Sequence, residues 1–335
     1  MAWPDGVLTR GDCWQGGQVR IRLMPSPVLA IGRCPPFAGA CVSLKCGAAC
    51  RSRGAGAVLR VSTNRASTNG EAERPGSNDL RKVLTRALPS PHWMADSSER
   101  CAVVLFELDD WRAWLPEATA VLDATERERV QRQRRTTGRE ALALAYALHR
   151  LLLGIALGCD ARAVPLGRDS RGCPRLADGA LHTSLSHADG VAAIAVTAAG
   201  PIGVDIEAMR RASVMPEIAE RVCHPVEALA LRGIAAQERA AALLQLWVRK
   251  EALLKAAGIG LACEMNSFTA PLGVQPLPSG GCVGMTALHR LVGSDVWEVA
   301  VAAPPTTTII SAWLRPDGAA PVASHGRPAT ALALY

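Results

Sequence analysis

Aromatic residues are scarce. Two Tyr, three Phe and eight Trp make up 4% of the 335 residues. Single strands of nucleic acid stack on aromatic rings in series, so so few rings argue against such a partner. No run of eighteen residues is apolar throughout. The longest, Ala141 to Gly158, is interrupted by His149 and Arg150, which argues against a membrane-spanning helix. The eleven cysteines include no CxxC pair, and the five between Cys13 and Cys50 have no histidine among them. Zinc fingers and ribbons are built from paired ligands, so this spacing points away from them. The phosphate-cradling patterns GxxxxGK[ST] and GxGxxG are absent, which removes the P-loop and dinucleotide-binding readings. The first residues carry Asp5 and Arg10 around no apolar stretch, so no secretory leader is expected. An odd number of cysteines without a leader favours reduced thiols and a cytoplasmic location.

What the chain does have is unevenly placed. It is 49% apolar and 20% charged, enough to bury a core, with a net charge of +7. Residues 1–100 hold 14 Lys/Arg against 7 Asp/Glu, whereas residues 101–335 hold 23 of each. The basic excess therefore belongs to the first hundred residues, where no Lys/Arg run exceeds Arg81-Lys82 and no nucleic-acid footprint emerges. Residues 1–95 are rich in Gly, Arg, Ser, Cys and Pro with poor periodicity, and are expected to be a disordered or non-native extension, with Met94 a candidate natural start.

From residue 101 the pattern is globular. CAVVLFEL reads as a strand, and Asp123-Ala-Thr-Glu126 as a helix start with an acidic residue three positions after its cap. Apolar periodicity predicts helices over Arg139–Leu157 and Gln237–Ala257, each followed by glycine. Strands are expected at 181–186, 191–196, 202–207, 283–288, 296–301 and 307–313. Helices followed by antiparallel strands, twice over, predict an α+β protein of two similar lobes, 101–200 and 201–315, each with helices on a small antiparallel sheet. Residues 316–335 are expected to be a loose tail.

Three segments carry chemistry. In Gly203-Val-Asp-Ile-Glu207, Asp205 and Glu207 are two apart in a strand and share one face. Either a solvated acidic edge or a divalent-cation site follows from this pentapeptide alone. In Trp247-Val-Arg-Lys-Glu-Ala-Leu-Leu-Lys255, Trp247, Glu251 and Lys255 share one helical face, and Glu251 with Lys255 can form a simple intrahelical ion pair. In Ser184-Leu-Ser-His187, Ser186 and His187 at a turn can hold a phosphate oxygen, or only satisfy the turn backbone.

Taken in order, SLSH, GVDIE and WVRKEALLK resemble the 4'-phosphopantetheinyl transferases, over about residues 110–315. Arg139 to Leu152, Arg171 to Leu176 and Gly258-Ile-Gly-Leu261 resemble flanking pieces of the same family. The resemblance is to the larger, two-lobe, surfactin-synthetase-activating type. It implies an active site between the lobes, and transfer of phosphopantetheine from coenzyme A to a serine of an acyl or peptidyl carrier protein, the holo-[acyl-carrier-protein] synthase reaction. It implies Mg²⁺ (or Mn²⁺) held by Asp205, Glu207 and Glu251, with Glu251 as general base and Lys255 stabilising the leaving group. It further implies coenzyme A contacts from Ser186, His187, Arg129, Arg139, Arg150, Arg175 and Lys250, and a monomer. Cys173 stands where the family usually has a lysine. Arg171 or Arg175 can replace that charge; otherwise the chain is a non-catalytic module that binds coenzyme A or carrier proteins.

Overall fold

The segment RCAVVLFE is apolar at alternate and intervening positions alike, so a strand built from it needs cover on both faces. The computed structural model describes residues 80–90, 93, 99–177, 179–291 and 295–322, which lie in one compact unit. Its helices are α1 (Leu80–Ala87), α2 (Leu115–Val121), α3 (Ala124–Gln131), α4 (Thr136–Ala156), α5 (Ala219–Val222), α6 (Pro225–Arg232) and α7 (Ala236–Ala257). Its strands are β1 (Arg100–Glu107), β2 (Leu166–Arg168), β3 (Pro174–Leu176), β4 (His182–Ala188), β5 (Val191–Thr197), β6 (Gly203–Ala208), β7 (Gly273–Pro276), β8 (Met285–Leu291), β9 (Trp297–Ala303), β10 (Thr308–Arg315) and β11 (Gly318–Pro321). The fold is α+β, with a five-stranded sheet ordered β11-β10-β1-β5-β4, a four-stranded sheet ordered β6-β9-β8-β7, and a β2-β3 ribbon.

The two faces of β1 go to different cores. Ala102, Val104 and Phe106 pack with Leu142, Leu148 and Leu152 of α4. Cys101, Val103 and Leu105 pack with Val204 and Ile206 of β6 and with Val299 and Val301 of β9. On the far side of the second sheet, Leu288, Ala300 and Ala302 meet Leu244, Ala252 and Leu253 of α7. The order of layers is thus α4, first sheet, second sheet, α7. After α4 the chain forms β2 to β5, and after α7 it forms β7 to β9. β1 pairs antiparallel with β5 and β5 with β4, as β6 pairs antiparallel with β9 and β9 with β8.

Local signals act as their chemistry requires. Asp123 and Glu126 form the reciprocal cap at the start of α3. α7 ends at Gly258 in the left-handed region (φ 67), where Gly258 N donates to Lys255 O and Ile259 N to Leu254 O. The β4–β5 turn is Asp189-Gly190, with φ of 50 and 86, a geometry that suits the twist of a two-residue hairpin.

Three expectations are corrected. Within the span 1–95, residues 1–79 lie outside the described residues, but Leu80–Ala87 is a helix. Leu80, Val83, Leu84 and Ala87, with Leu88 beyond its end, are buried in the α4 core. Eight residues of helix after a polar stretch give too short a period to stand out, and tertiary packing supplies what propensity does not. Residues 308–315 do not stay with the second half: β10 pairs in parallel with β1, so the first sheet is mixed. Alternation marks a strand but does not name its partner. Within 316–335, Gly318–Pro321 pairs with β10 as β11, and residues 323–335 lie outside the described residues.

Candidate active site

Strand alternation splits β6. Val204 and Ile206 enter the core between the sheets, and Asp205 and Glu207 face the opposite way, toward α7. Gly203 brings strand and helix together: a Cβ there would lie 2.0 Å from Ala252 O and 2.5 Å from Ala256 N. α7 answers with Glu251 and Lys255, one turn apart. Asp205, Glu207 and Glu251 are only 4%, 4% and 6% exposed.

The charges in this pocket are partly matched. Lys255 Nζ lies 2.6 Å from Asp205 Oδ1, and Ser186 Oγ donates to the same oxygen at 2.7 Å. Arg211 Nη1 lies 2.5 Å from Glu207 Oε1. Asp205 Oδ2 and Glu207 Oε2 are buried with no hydrogen-bond partner. Glu251 is pushed up to about 8, by burial first, then by the charge of Asp205, with Lys255 opposing and Glu207 adding. Glu207 is pushed up to about 7 by burial and then by Asp205, against Arg211 and Lys255. Like charges held out of water raise one another's proton affinity, and either a proton or a further cation relieves them.

Two orphaned carboxylate oxygens beside a third buried carboxylate are hard donors of the kind Mg²⁺ takes, so the residues present fit such an ion. Among the described residues no three acidic, His or Cys side chains are gathered, as placed, so that they could hold a metal ion. As placed, Lys255 and Arg211 each occupy one oxygen of the pair on β6.

The other expected contacts divide. His187 is brought close: Lys255 and Arg168 add to burial in holding it down to about 4, so it is a neutral imidazole beside two cations. Ser186 and His187 do not form a turn. Both lie within β4 and face opposite ways, since their partners Ala193 and Ala192 belong to different cores. Arg175 is tied to Asp169 at 3.2 Å and lies against Gly258, where a Cβ would meet its Nη2 at 2.2 Å. Arg171 donates to Gly258 O and Gly280 O. Both arginines of this turn therefore reach the end of α7, and Asp169 also accepts from the Cys173 amide. Arg139 is exposed on the first turn of α4 and bonds Thr136, and Arg129 lies half-buried on α3. Neither stands on the elements that carry the acidic residues.

Two of the expected contacts are engaged elsewhere in the protein. Arg150 is buried under α4, paired with Glu126 at 2.6 Å and with Asp123, and donating to the carbonyls of Ala161, Val164 and Leu166. Lys250 is fully buried, with Nζ 2.6 Å from Glu227 Oε2, 2.7 Å from Met265 O and 2.6 Å from Phe268 O. Both hold loops to helices. One residue along α7 turns the side chain by about 100°, so Lys250 leaves Glu251's face.

Sequence reading missed Arg168 and Glu298. Arg168 sits over the ring of Tyr146 at 5.0 Å and donates to Gly172 O, and its charge reaches His187. Glu298 lies directly across the ladder from Glu207, and Arg290 binds both its oxygens at 2.6 and 2.7 Å. The signal for Glu298 was an acidic residue in an otherwise apolar alternation. For Arg168 no local signal existed, because Tyr146 is remote in sequence.

A sequence profile of the 4'-phosphopantetheinyl transferase superfamily matches residues 201–287, the stretch that carries Asp205, Glu207, Glu251 and Lys255. The chain is 30% identical over 179 residues to the 4'-phosphopantetheinyl transferase HetI of Nostoc sp. (strain PCC 7120), covering 52% of this chain and 76% of that relative. The chain belongs to the 4'-phosphopantetheinyl transferase superfamily. It is also 29% identical over 156 residues to a 4'-phosphopantetheinyl transferase of Bacillus subtilis, covering 46% of this chain and 67% of the relative. Over 88 residues it is 32% identical to the 4'-phosphopantetheinyl transferase gsp of Aneurinibacillus migulanus, 26% of this chain and 36% of the relative. Among the described residues of this superfamily member, no helix is long and apolar enough to cross a membrane.

Proposed function

We propose that the chain moves 4'-phosphopantetheine from coenzyme A to a serine hydroxyl of an acyl or peptidyl carrier protein and releases adenosine 3',5'-bisphosphate. This is the holo-[acyl-carrier-protein] synthase reaction. The observation that carries the reading is the buried group of Asp205, Glu207 and Glu251 with Lys255 reaching in from α7. The serine oxygen forms a bond to the phosphorus that bears pantetheine, and the pyrophosphate bridge breaks. A base must take the serine proton, and a cation must meet the charge left on the bridging oxygen.

Glu251 is the base in this reading. Burial and the neighbouring carboxylates raise its proton affinity, and a bound cation would lower it again, so Glu251 would take the serine proton directly or through a water. Lys255 meets the leaving oxygen, held in place by Asp205. Arg168 and, at the edge, Arg175 form the cationic side on which the nucleotide phosphates rest, with the neutral imidazole of His187 beside them. Asp205, Glu207 and Glu251 would hold Mg²⁺ or Mn²⁺, which supplies charge neutralisation at the pyrophosphate when bound. The like pairing of β1-β5-β4 and β6-β9-β8 supports two similar lobes, and the bond from Ser186 of the first to Asp205 of the second supports a site at their junction. The protein is proposed to act as a cytoplasmic monomer.

The test is the intact mass of apo carrier proteins after incubation with the protein, coenzyme A and Mg²⁺, with and without EDTA. A gain of one phosphopantetheine only when metal is present is the expected result. No gain on any carrier, with coenzyme A still bound, would overturn transfer and leave a binding module.

A further inference from the structure

Two cations stand against the carboxylates of β6, and they are held differently. Lys255 Nζ, 2.6 Å from Asp205 Oδ1, belongs to α7, and its side chain is 7% exposed. Arg211 Nη1, 2.5 Å from Glu207 Oε1, belongs to the 3-10 segment Met209–Ile218 that follows β6, and its side chain is 23% exposed. That segment is anchored through its main chain, where Met209 N donates to Val296 O at 2.8 Å. The guanidinium can therefore leave Glu207 by changing rotamer, with the backbone in place. It has a way out to water that Lys255 lacks.

Arg211 acts on more than one carboxylate. Its charge bears on Glu251 as well as on Glu207, and Glu207 Oε2 stays buried without a hydrogen-bond partner. With Asp205, Glu207 and Glu251 ionised, Lys255 and Arg211 leave the group one negative charge in excess. A divalent cation added to all five would reverse that sign, so guanidinium and metal oppose each other in a place largely shut off from water. We infer that Arg211 is an internal counter-ion that the divalent cation displaces: the two are alternative partners of Glu207, and each weakens the other's hold. The acidic group is then matched before the metal arrives, and it binds the metal less tightly than the bare carboxylates would. A residue that only oriented Glu207 as a ligand would act the other way, since its loss weakens metal binding. This inference rests on Glu207 being a ligand of the divalent cation, as in the proposed function.

The test uses the full chain with Mn²⁺ as probe. Free Mn²⁺ is followed by electron paramagnetic resonance, and stability by thermal melts with and without EDTA. Arg211→Met is expected to bind Mn²⁺ about tenfold more tightly, an ordinary size for coupling between two bound groups. Arg211→Lys, which returns the charge, stays near wild type. Arg210→Met is the control: Arg210 is 67% exposed and paired with Asp189, so its loss should hardly move Mn²⁺ affinity. In EDTA, Arg211→Met melts below wild type, and Mn²⁺ raises its melting temperature by more. Unchanged or weaker Mn²⁺ binding in Arg211→Met, equal tightening in Arg210→Met, or a lysine form as tight as the methionine form would overturn the inference. Absence of Mn²⁺ binding in wild type and every variant would instead overturn the metal reading on which it rests. Should Arg211→Met fail to fold, Arg211→Gln, also neutral, is read in the same way.

Discussion

Lys255 places its ammonium 2.6 Å from Asp205, on another element, although Glu251 lies one turn before it on the same helix. The pair is buried, with 7% and 6% of the two side chains exposed. Removing one partner of a buried pair leaves the other desolvated and unmatched, which costs roughly 3–5 kcal/mol. Lys255→Met is therefore expected to lower unfolding free energy by about 3 kcal/mol in EDTA, read by urea titration. Transfer should fall by at least about 100-fold, the scale of losing one preorganised charge. Mg²⁺ should return part of the lost stability. A variant as stable as wild type in EDTA would refute the pairing.

Gly203 is where β6 and α7 touch. A methyl group there meets backbone, at 2.0 Å from Ala252 O, and backbone cannot swing aside as a side chain can. Gly203→Ala is expected to cost about 1–3 kcal/mol and to displace Asp205, so activity falls with stability. Gly167→Ala, with nothing within 4 Å of its added Cβ, is the matched control and should leave both nearly unchanged. Thermal melts and single-turnover rates of the two variants, side by side, check this.

Arg150 and Lys250 should behave as structural residues. Arg150→Met and Lys250→Met each strand buried carbonyl or carboxylate partners and are expected to cost about 3 kcal/mol. In the fraction that remains folded, KM for coenzyme A should not move. A rise in KM with unchanged stability would return either residue to the binding site.

His149 sets an acid limit on stability. Its Nε2 lies 2.7 Å from Thr183 Oγ1, which in turn donates to Ala195 O. Burial first, then Arg168 and Arg150, hold it down to about 3 from an ordinary 6.5. Between those values the unfolded chain binds the proton and the folded chain does not, so stability rises with pH across that window and is lost as pH falls through it. His187, held down to about 4, adds the same sign. Glu207 and Glu251, raised to about 7 and about 8, act with the opposite sign in both proteins, so the check is the difference: as pH falls from 6.5 toward 4, wild type should lose stability relative to His149→Gln. Parallel slopes for the two proteins would sink the assignment.

α1 is part of the fold. Leu84 is fully buried and Arg81 donates to Cys159 O at 2.6 Å. Leu84→Ala should cost about 2–5 kcal/mol, and a chain begun at Met94 should melt lower than the full chain. Equal melting temperatures would show α1 to be dispensable.

The acidic cluster was legible because its members sit in short motifs whose periodicity places them: Asp205 and Glu207 by strand alternation, Glu251 and Lys255 by the helical turn. What could not be read was which partner each charge would choose. Lys255 had a nearer candidate in Glu251, and only the approach of β6 at Gly203 decides for Asp205. Arg150 and Lys250 look the same in sequence whether they meet a phosphate or a carbonyl. Ser186 and His187 read as a pair only until β4 extends through both of them. The partner of β10 is likewise a long-range matter, since alternation fixes faces and not neighbours.

That last pairing has a consequence for biosynthesis. β1 lies between β5 and β10, and β10 is about two hundred residues away along the chain. While the ribosome is still making the second half, β1 has β5 on one side and an open row of backbone donors and acceptors on the other. The first sheet is therefore completed only when residues 308–321 emerge, after β6 and α7 have been made. A nascent chain halted after β5 carries half a seam, with an edge that invites the wrong neighbour. Assembly of the two halves is thus coupled in time as well as in space, and the strand that closes the first is supplied last.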